Sequence, residues 1–154
     1  MNFINYFFLF LNILINSLAE ICTLKESLSL ICRCIGYLDE FQIECEIENS
    51  IQQELPSFTF LDPEESYRII IKNKNIKTLL SSSFKNLTIS LLVLSFNNIE
   101  IIKPNAFEKI FNLKELDLRN NKLKNFYSDE SFNSLLELFL HNNEIEIIRV
   151  NTLK

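Results

Sequence analysis

The sequence predicts an α/β solenoid, a stack of similar short units whose strands form one parallel sheet on a concave face. The return segments between the strands are expected to form an irregular or 3₁₀ convex side. Three observations lead to this prediction. One apolar pattern recurs four times, an asparagine holds the same position in three of the copies, and four cysteines precede them. The 154 residues are 47% apolar, which is enough for one such core.

The repeated unit is clearest at residues 113–126, which read LKELDLRNNKLKNF. Its apolar residues are spaced three, two, five and three apart, which fits neither a helix nor an alternating strand. The same positions recur at 66–79, 89–102 and 135–148, with offsets of 23, 24 and 22 residues between copies. This period is within the range of leucine-rich repeats, roughly 20–29 residues. A phenylalanine followed by Leu or Ile three residues later recurs behind the copies, at Phe84, Phe107 and Phe132.

An asparagine follows the strand in three copies, at Asn97, Asn121 and Asn143. We expect it inside a turn, where its amide bonds backbone groups of its own unit and of the neighbouring unit. Lys74 holds this position in the first copy, which predicts a looser turn with the lysine directed outward. A leucine-rich amphipathic helix is excluded, because the recurring Asn-Asn pairs interrupt any seven-residue repeat of apolar positions.

The four cysteines, Cys22, Cys32, Cys34 and Cys45, lie close together near the N-terminus. An even number clustered in a secreted chain predicts two disulfide bonds, whereas the Cys32-x-Cys34 spacing is poor for tetrahedral zinc. Of the three possible pairings, the one with Cys32 bonded to Cys34 is least favoured, because both would lie on one face of an extended segment. FQIEC at 41–45 predicts a short strand with Cys45 facing inward.

This cysteine arrangement, the short strand and the ELP at 54–56 resemble the cysteine-rich N-terminal cap of extracellular leucine-rich repeat proteins. Slit-like, Toll-like and small leucine-rich proteoglycan proteins share that layout. The resemblance implies a leucine-rich repeat horseshoe, with a cap over residues 20–65 and about four repeats over 66–154, the last one truncated. The family pairs its first cysteine with the third and its second with the fourth, which implies Cys22–Cys34 and Cys32–Cys45.

The first nineteen residues carry no charged side chain, and Phe7 to Ile15 is apolar except for Asn12. This run is too short for a comfortable membrane span, and Ser17 and Ala19 place small residues before a cut at residue 20. We therefore predict a signal peptide over 1–19 and a secreted chain, or one on the extracellular face of the plasma membrane. An uncleaved anchor helix is the alternative.

The residues between the inward-facing leucines are expected to line the concave face and to contact a protein ligand. An exposed apolar stripe of Ile70, Leu91 and Val93 beside charged residues is typical of a protein-recognition patch. The alternative is that β-branched residues fill sheet positions by propensity alone. The predicted ligand-binding residues are Arg68, Ile70, Lys72, Leu91, Val93, Ser95, Glu115, Asp117, Arg119, Glu137, Phe139 and His141.

The charge distribution leaves a different function open. The formal net charge is −5, with eleven acids against two bases over 20–66 and thirteen bases against nine acids over 67–154. A basic repeat body could bind polyanionic glycosaminoglycans in the extracellular matrix. The lysines that would serve this function are Lys72, Lys74, Lys77 and Lys85.

Catalysis is disfavoured, and no cofactor or metal is expected. His141 is the only histidine, and nucleophilic catalysis needs a base positioned beside Ser or Cys. Glu115 and Glu137 are expected to be neighbours in one column of the sheet, which could suit acid–base work. Such carboxylates are more often solvated charges or contacts for a basic partner.

Two features remain outside this scheme. Asn86-Leu87-Thr88 is the only N-x-S/T triplet, on a return segment away from the concave face, and Asn86 is a candidate glycosylation site. Leu153 follows Asn143 by ten residues, so a further unit stops at its phenylalanine position. Because terminal repeats normally need a polar cap, we expect a fragment of a longer receptor or matrix protein, or a short protein with an exposed core edge.

Overall fold

The computed structural model describes residues 30–37, 40–47, 54–55, 58, 61–62, 64–71, 75–128 and 130–149. These residues form short strands joined by turns, with a 3₁₀ helix (Glu130–Ser134) between the ninth and tenth strands. In chain order the strands are β1 (Leu30–Tyr37), β2 (Glu40–Ile47), β3 (Glu54–Leu55), β4 (Ser66–Ile71), β5 (Thr78–Leu79), β6 (Thr88–Val93), β7 (Ile101–Ile102), β8 (Glu115–Asp117), β9 (Asn125–Tyr127), β10 (Glu137–Phe139) and β11 (Ile147–Arg149).

The largest sheet has the strand order β1-β2-β4-β6-β8-β10. Strands β1 and β2 pair antiparallel, and all later neighbours in this sheet pair in parallel. The return segments form two smaller parallel sheets, β3-β5-β7 and β9-β11. Each unit thus adds one strand to the large sheet and one to a smaller sheet, so that it buries its apolar side only against its neighbours. The predicted solenoid is confirmed.

The core consists of the inward-facing residues of the large sheet and of the smaller sheets. In the unit at 113–126, all five apolar positions are at most 1% exposed, and the inward positions of β4 and β6 are at most 3% exposed. This burial explains the uneven spacing of the leucines, because one short strand and one return segment supply the apolar side chains of each unit. The fully buried positions of the unit are Leu113, Leu116, Leu118, Leu123 and Phe126.

A row of phenylalanines runs through the core from unit to unit. The ring centroids of Phe58 and Phe84 are 5.2 Å apart, and those of Phe84 and Phe107 are 6.3 Å apart. Phe132 continues the row, 5.4 Å from Phe107 and 5.8 Å from Phe126. Aromatic pairs at these separations add stabilisation beyond the apolar area that they bury. The recurring phenylalanine of the sequence is therefore a contact between neighbouring units.

The turn asparagines bond backbone groups of two units at once. The side-chain amide of Asn121 donates to the carbonyl oxygens of Leu118, in its own unit, and of Leu94, in the preceding one, both at 2.9 Å. Its Oδ1 accepts from the N–H of Ile99 at 3.0 Å. Asn97 donates to Leu94 and to Ile71 of the preceding strand in the same way. Lys74, in the corresponding position of the first unit, lies outside the described residues.

The cap strand β2 extends the large sheet. Cys32 and Cys45 lie opposite each other on β1 and β2 and form a disulfide bond, with their Cα atoms 4.0 Å apart. Cys45 is buried, as the alternation of 41–45 predicts, and β2 pairs in parallel with β4. At this junction Tyr67 is 3% exposed, and burial raises the pKa of its phenol. The Cys22–Cys34 bond and the predicted leader over 1–19 lie outside what the structure describes.

The last described unit is the most open part of the solenoid. Strand β10 pairs with β8 on one side only within the described sheet, and its inward-facing Leu138 is 39% exposed. On β11, Ile147 and Ile148 are 41% and 55% exposed. Among the described residues, no helix is long and apolar enough to span a membrane.

Candidate ligand-binding face

The predicted ligand-binding residues that the structure describes lie on the side of the six-stranded sheet that faces away from the core, here called the concave face. Leu92 on β6 and Leu94 just after it belong to the core cluster, whereas Leu91 and Val93 alternate with them and do not. The strand register places residues of successive units in columns. The first column is Gln42, Arg68, Leu91, Glu115 and Glu137, and the second is Glu44, Ile70, Val93, Asp117 and Phe139.

A third column lies just beyond the strand ends. The N–H of Phe96 donates to the carbonyl of Arg119 at 3.2 Å, and the N–H of Asn120 donates to that of His141 at 3.1 Å. These bonds continue the parallel ladder past β6 and β8, so that Ser95, Arg119 and His141 share one level of the sheet. Lys72, predicted at the same level, lies outside the described residues.

Exposure on the concave face differs from the expectation. Leu91 and Val93 are each 8% exposed, and Ser95 and Asp117 are each 1% exposed. The prediction of an exposed apolar stripe is therefore wrong for Leu91 and Val93. Short side chains on a central strand are flanked on both sides by strands about 4.8 Å away, which cover most of their surface. Strand β10 lacks the second neighbour in the described sheet, and its side chains are more open.

The β8–β10 half of the concave face holds an ordered cluster of three residues. The carboxylate of Asp117 accepts from the backbone N–H of Arg119 at 3.1 Å and from its Nε at 2.9 Å. A terminal guanidinium nitrogen of Arg119 lies 2.8 Å from the same carboxylate, while the Arg119 side chain is 40% exposed. The guanidinium carbon also lies 5.3 Å from the ring centroid of Phe139 on the next strand. Asp117 thus fixes a partly exposed arginine over an aromatic ring.

Carboxylates dominate the charge of this face. Glu115 and Glu137 face each other in register on β8 and β10, and like charges in such a pair destabilise the sheet. Both side chains reach solvent, as does His141. Within the described columns the acids outnumber Arg68 and Arg119. A cationic group from a partner would relieve the repulsion between the two glutamates.

Comparison with known proteins agrees with this architecture. No known family profile matches the sequence. Reticulon-4 receptor-like 1 of Rattus norvegicus and that of Mus musculus are each 33% identical over 91 residues, which is 58% of this chain and 19% of the relative. A probable glycoprotein hormone G-protein coupled receptor of Anthopleura elegantissima is 33% identical over 105 residues, or 67% of this chain and 10% of the relative. The solenoid and the Cys32–Cys45 bond give the chain the architecture of a leucine-rich repeat protein with a cysteine-linked cap. The chain spans a fifth or less of the length of these relatives.

Two residues of the leucine-rich repeat sheet were missed by sequence reasoning. Gln42 and Glu44 on β2 join the first two columns, and the amide of Gln42 donates to Glu44 at 2.7 Å. The alternation of 41–45 was the available signal, since polar residues between inward-facing ones must lie on the other side of the strand. Glu40, at the start of β2, accepts bonds from the hydroxyls of Ser66 and Ser90.

Ser90 also marks an irregularity in the leucine-rich repeat ladder. Tyr67 pairs with Ile89 and Arg68 pairs with Leu91, so Ser90 is an extra residue on β6. A bulge of this kind bends the strand and re-aims its side chains. The hydroxyl of Ser90 reaches back to the cap strand from this position, which ties the cap to the second repeat.

The remaining predicted residues lie outside the concave face. Lys77 precedes β5, and Lys85 is in the turn over 81–86, so these two lysines belong to different segments. Asn86 ends the same turn, is exposed, and has a left-handed φ of 61°. An asparagine tolerates this conformation well.

Proposed function

We propose that this leucine-rich repeat chain is a secreted or cell-surface recognition module that binds a protein ligand on its concave face. The observation that carries the proposal is the cluster of Asp117, Arg119 and Phe139. Arginine and aromatic residues dominate the binding energy of many protein interfaces. Because Asp117 and Phe139 already hold the guanidinium of Arg119, little side-chain entropy is lost when a ligand binds it. The receptor names of the relatives support a recognition role.

The proposed site is centred on β8 and β10. Leu91 and Val93 are nearly covered, so they support the sheet and contribute little contact area. The ligand meets the open part of the face, at Glu115, Arg119, Glu137, Phe139 and His141. The paired glutamates favour a ligand with Lys or Arg at this point, since that contact replaces repulsion by attraction.

Replacement of Phe139 by alanine is expected to weaken ligand binding about tenfold or more, because it removes both the aromatic contact and the support of Arg119. The probe is a library of displayed random peptides, selected on the purified chain, and the measurement is the Kd of the selected peptides by surface plasmon resonance. The matched control is Tyr127→Ala, because Tyr127 is an exposed aromatic residue on β9, outside the six-stranded sheet. Equal loss of binding in both variants, or no loss in Phe139→Ala, would contradict the concave-face site.

Glycosaminoglycan binding by the basic repeat body stays the alternative. Its signature is retention on heparin that falls steeply with salt, because exposed charges are screened within about 10 Å at 0.1 M ionic strength. Heparin retention that disappears in Lys77→Ala and Lys85→Ala but is unchanged in Phe139→Ala would favour glycosaminoglycan binding over protein recognition.

Extracellular location is part of the proposal, and a glycan on Asn86 is its most direct consequence. The Cys32–Cys45 bond is typical of secreted domains, and the Asn86 side chain is exposed. When the full chain is expressed in eukaryotic cells, peptide N-glycosidase is expected to reduce its mass by that of one glycan. The Asn86→Asp variant should show no such shift, and it keeps a residue that tolerates the left-handed backbone. The same mass before and after treatment of the wild-type chain would contradict this prediction.

A further inference from the structure

Phe96 combines an exposed aromatic ring with an unfavourable backbone conformation. Its side chain is 54% exposed, and its φ is 57°. A bulky residue at positive φ is an outlier, because its Cβ approaches the following carbonyl oxygen. Of the described non-glycine residues with positive φ, Phe96 is the only aromatic one. Strained residues of this kind cluster at functional sites.

The neighbouring repeats show what the fold alone would favour at this position. Asn120 follows Phe96 by 24 residues and Asn142 follows Asn120 by 22, and their φ values are 54° and 57°. The side-chain amide of Asn142 donates to Oδ1 of Asn120 at 2.9 Å, which links the two repeats. Asparagine suits the left-handed backbone and could extend this link to a third repeat. Phenylalanine at position 96 neither tolerates the left-handed backbone well nor forms this side-chain link, and its apolar ring is exposed to water.

The location of Phe96 suggests what the ring is for. Its N–H donates to the carbonyl of Arg119 at 3.2 Å, which places it on the last rung of the ladder beside the Arg119–Phe139 pair. The guanidinium donors of Arg119 that do not reach Asp117 have no partner among the described residues. Two phenylalanines and a planar cation thus follow one another on adjacent repeats at the edge of the concave face.

We propose that Phe96 is an aromatic anchor for the protein ligand, and that it takes an apolar side chain lying next to a basic residue in an extended segment of that ligand. The apolar part follows from the exposed ring of Phe96, which a flat or aliphatic side chain of the ligand would cover, one repeat away from Arg119. The basic part follows from the acidic excess of the columns and from the Glu115–Glu137 pair. The inference rests on the proposed function, and it adds the chemical class of the segment recognised.

Phe96→Asn is the decisive variant, because it should change stability and binding in opposite directions. The melting temperature is expected to rise by on the order of 3 °C as the backbone strain is relieved. Peptides selected from a displayed random library should carry an aromatic or aliphatic residue beside Lys or Arg, and they should bind the variant about tenfold more weakly. Phe96→Tyr should restore binding. Tyr127→Asn is the matched control, since Tyr127 is 51% exposed and lies on β9, outside the six-stranded sheet.

Each other result overturns the inference. A lower melting temperature in Phe96→Asn would make Phe96 a structural residue. Peptides that respond to Phe139→Ala but bind Phe96→Asn normally would leave the concave-face site intact and remove Phe96 from it. Peptides whose binding neither Phe139→Ala nor Phe96→Asn weakens would contradict both the concave-face site and the role of Phe96. A selection that yields no binder to the wild-type chain would do the same. Selected peptides without the apolar and basic pair would reject the proposed ligand class.

Discussion

Replacing Phe84 by alanine is expected to lower the free energy of unfolding by about 4 kcal/mol. The ring of Phe84 is fully buried, and it stacks between Phe58 and Phe107 at centroid separations of 5.2 and 6.3 Å. Its loss removes apolar burial, opens a cavity and breaks the contact between two units at the same time. Urea denaturation followed by circular dichroism measures the change.

The control for this prediction is an exposed phenylalanine. Phe111→Ala should change the free energy of unfolding by no more than about 0.5 kcal/mol, because its ring is 53% exposed. The Phe84→Ala, Phe107→Ala double variant should lose less than the sum of the single variants, since the two rings contact each other. Strict additivity would show that the phenylalanine row is not a continuous contact.

Replacing Asn121 by alanine is expected to destabilise the fold by about 3 kcal/mol. The side chain is 7% exposed, and its loss leaves the buried N–H of Ile99 without a partner. It also removes one of the two amide donors to each of the Leu94 and Leu118 carbonyls, which keep their bonds to Asn97 and Asn143. The amide donates to Leu94 and Leu118 at 2.9 Å each, and Ile99 donates to it at 3.0 Å. Alanine supplies neither a donor nor an acceptor, and water has little access to the turn. Thermal and urea unfolding measure the effect.

Two other asparagines, which differ from Asn121 in burial, serve as controls for this prediction. Asn125 is exposed on β9, and Asn125→Ala should be close to neutral. Asn143 makes comparable bonds to Leu118 and Leu140 but is only half-buried, so that Asn143→Ala should fall between the two. Equal losses for Asn121 and Asn125 would show that the buried amide is not what joins the repeats.

Both predictions concern contacts between neighbouring units, because a short repeat cannot stabilise itself. Phe84 and Asn121 each join one unit to the next, the first by stacking and the second by hydrogen bonds. A solenoid of this kind is stabilised mainly by such interfaces. The concave face, by contrast, carries unfavourable features at Phe96 and at the Glu115–Glu137 pair. Stability and recognition therefore depend on different residues of the same repeats.

The repeat architecture could be derived from the sequence because its determinants are local and occur several times in register. The apolar spacing of 113–126 determined which side chains face the core, and Asn121 could be assigned to a buried turn. The alternation of 41–45 indicated a strand with Cys45 inward, and the family resemblance supplied its bond to Cys32. Each of these conclusions needs only the period of a strand or turn and the offset to the next copy.

The exposure of the concave face was decided by the tertiary structure. Leu91 and Val93 had the pattern of exposed residues, but strands on both sides cover them, whereas β10 stays open because it has one neighbour. The bulge at Ser90 and the left-handed conformation of Phe96 also depend on how unequal repeats fit together. A linear pattern determines which side of a strand a residue occupies. Its solvent exposure and backbone strain depend on neighbours more than twenty residues away, which only the folded stack brings together.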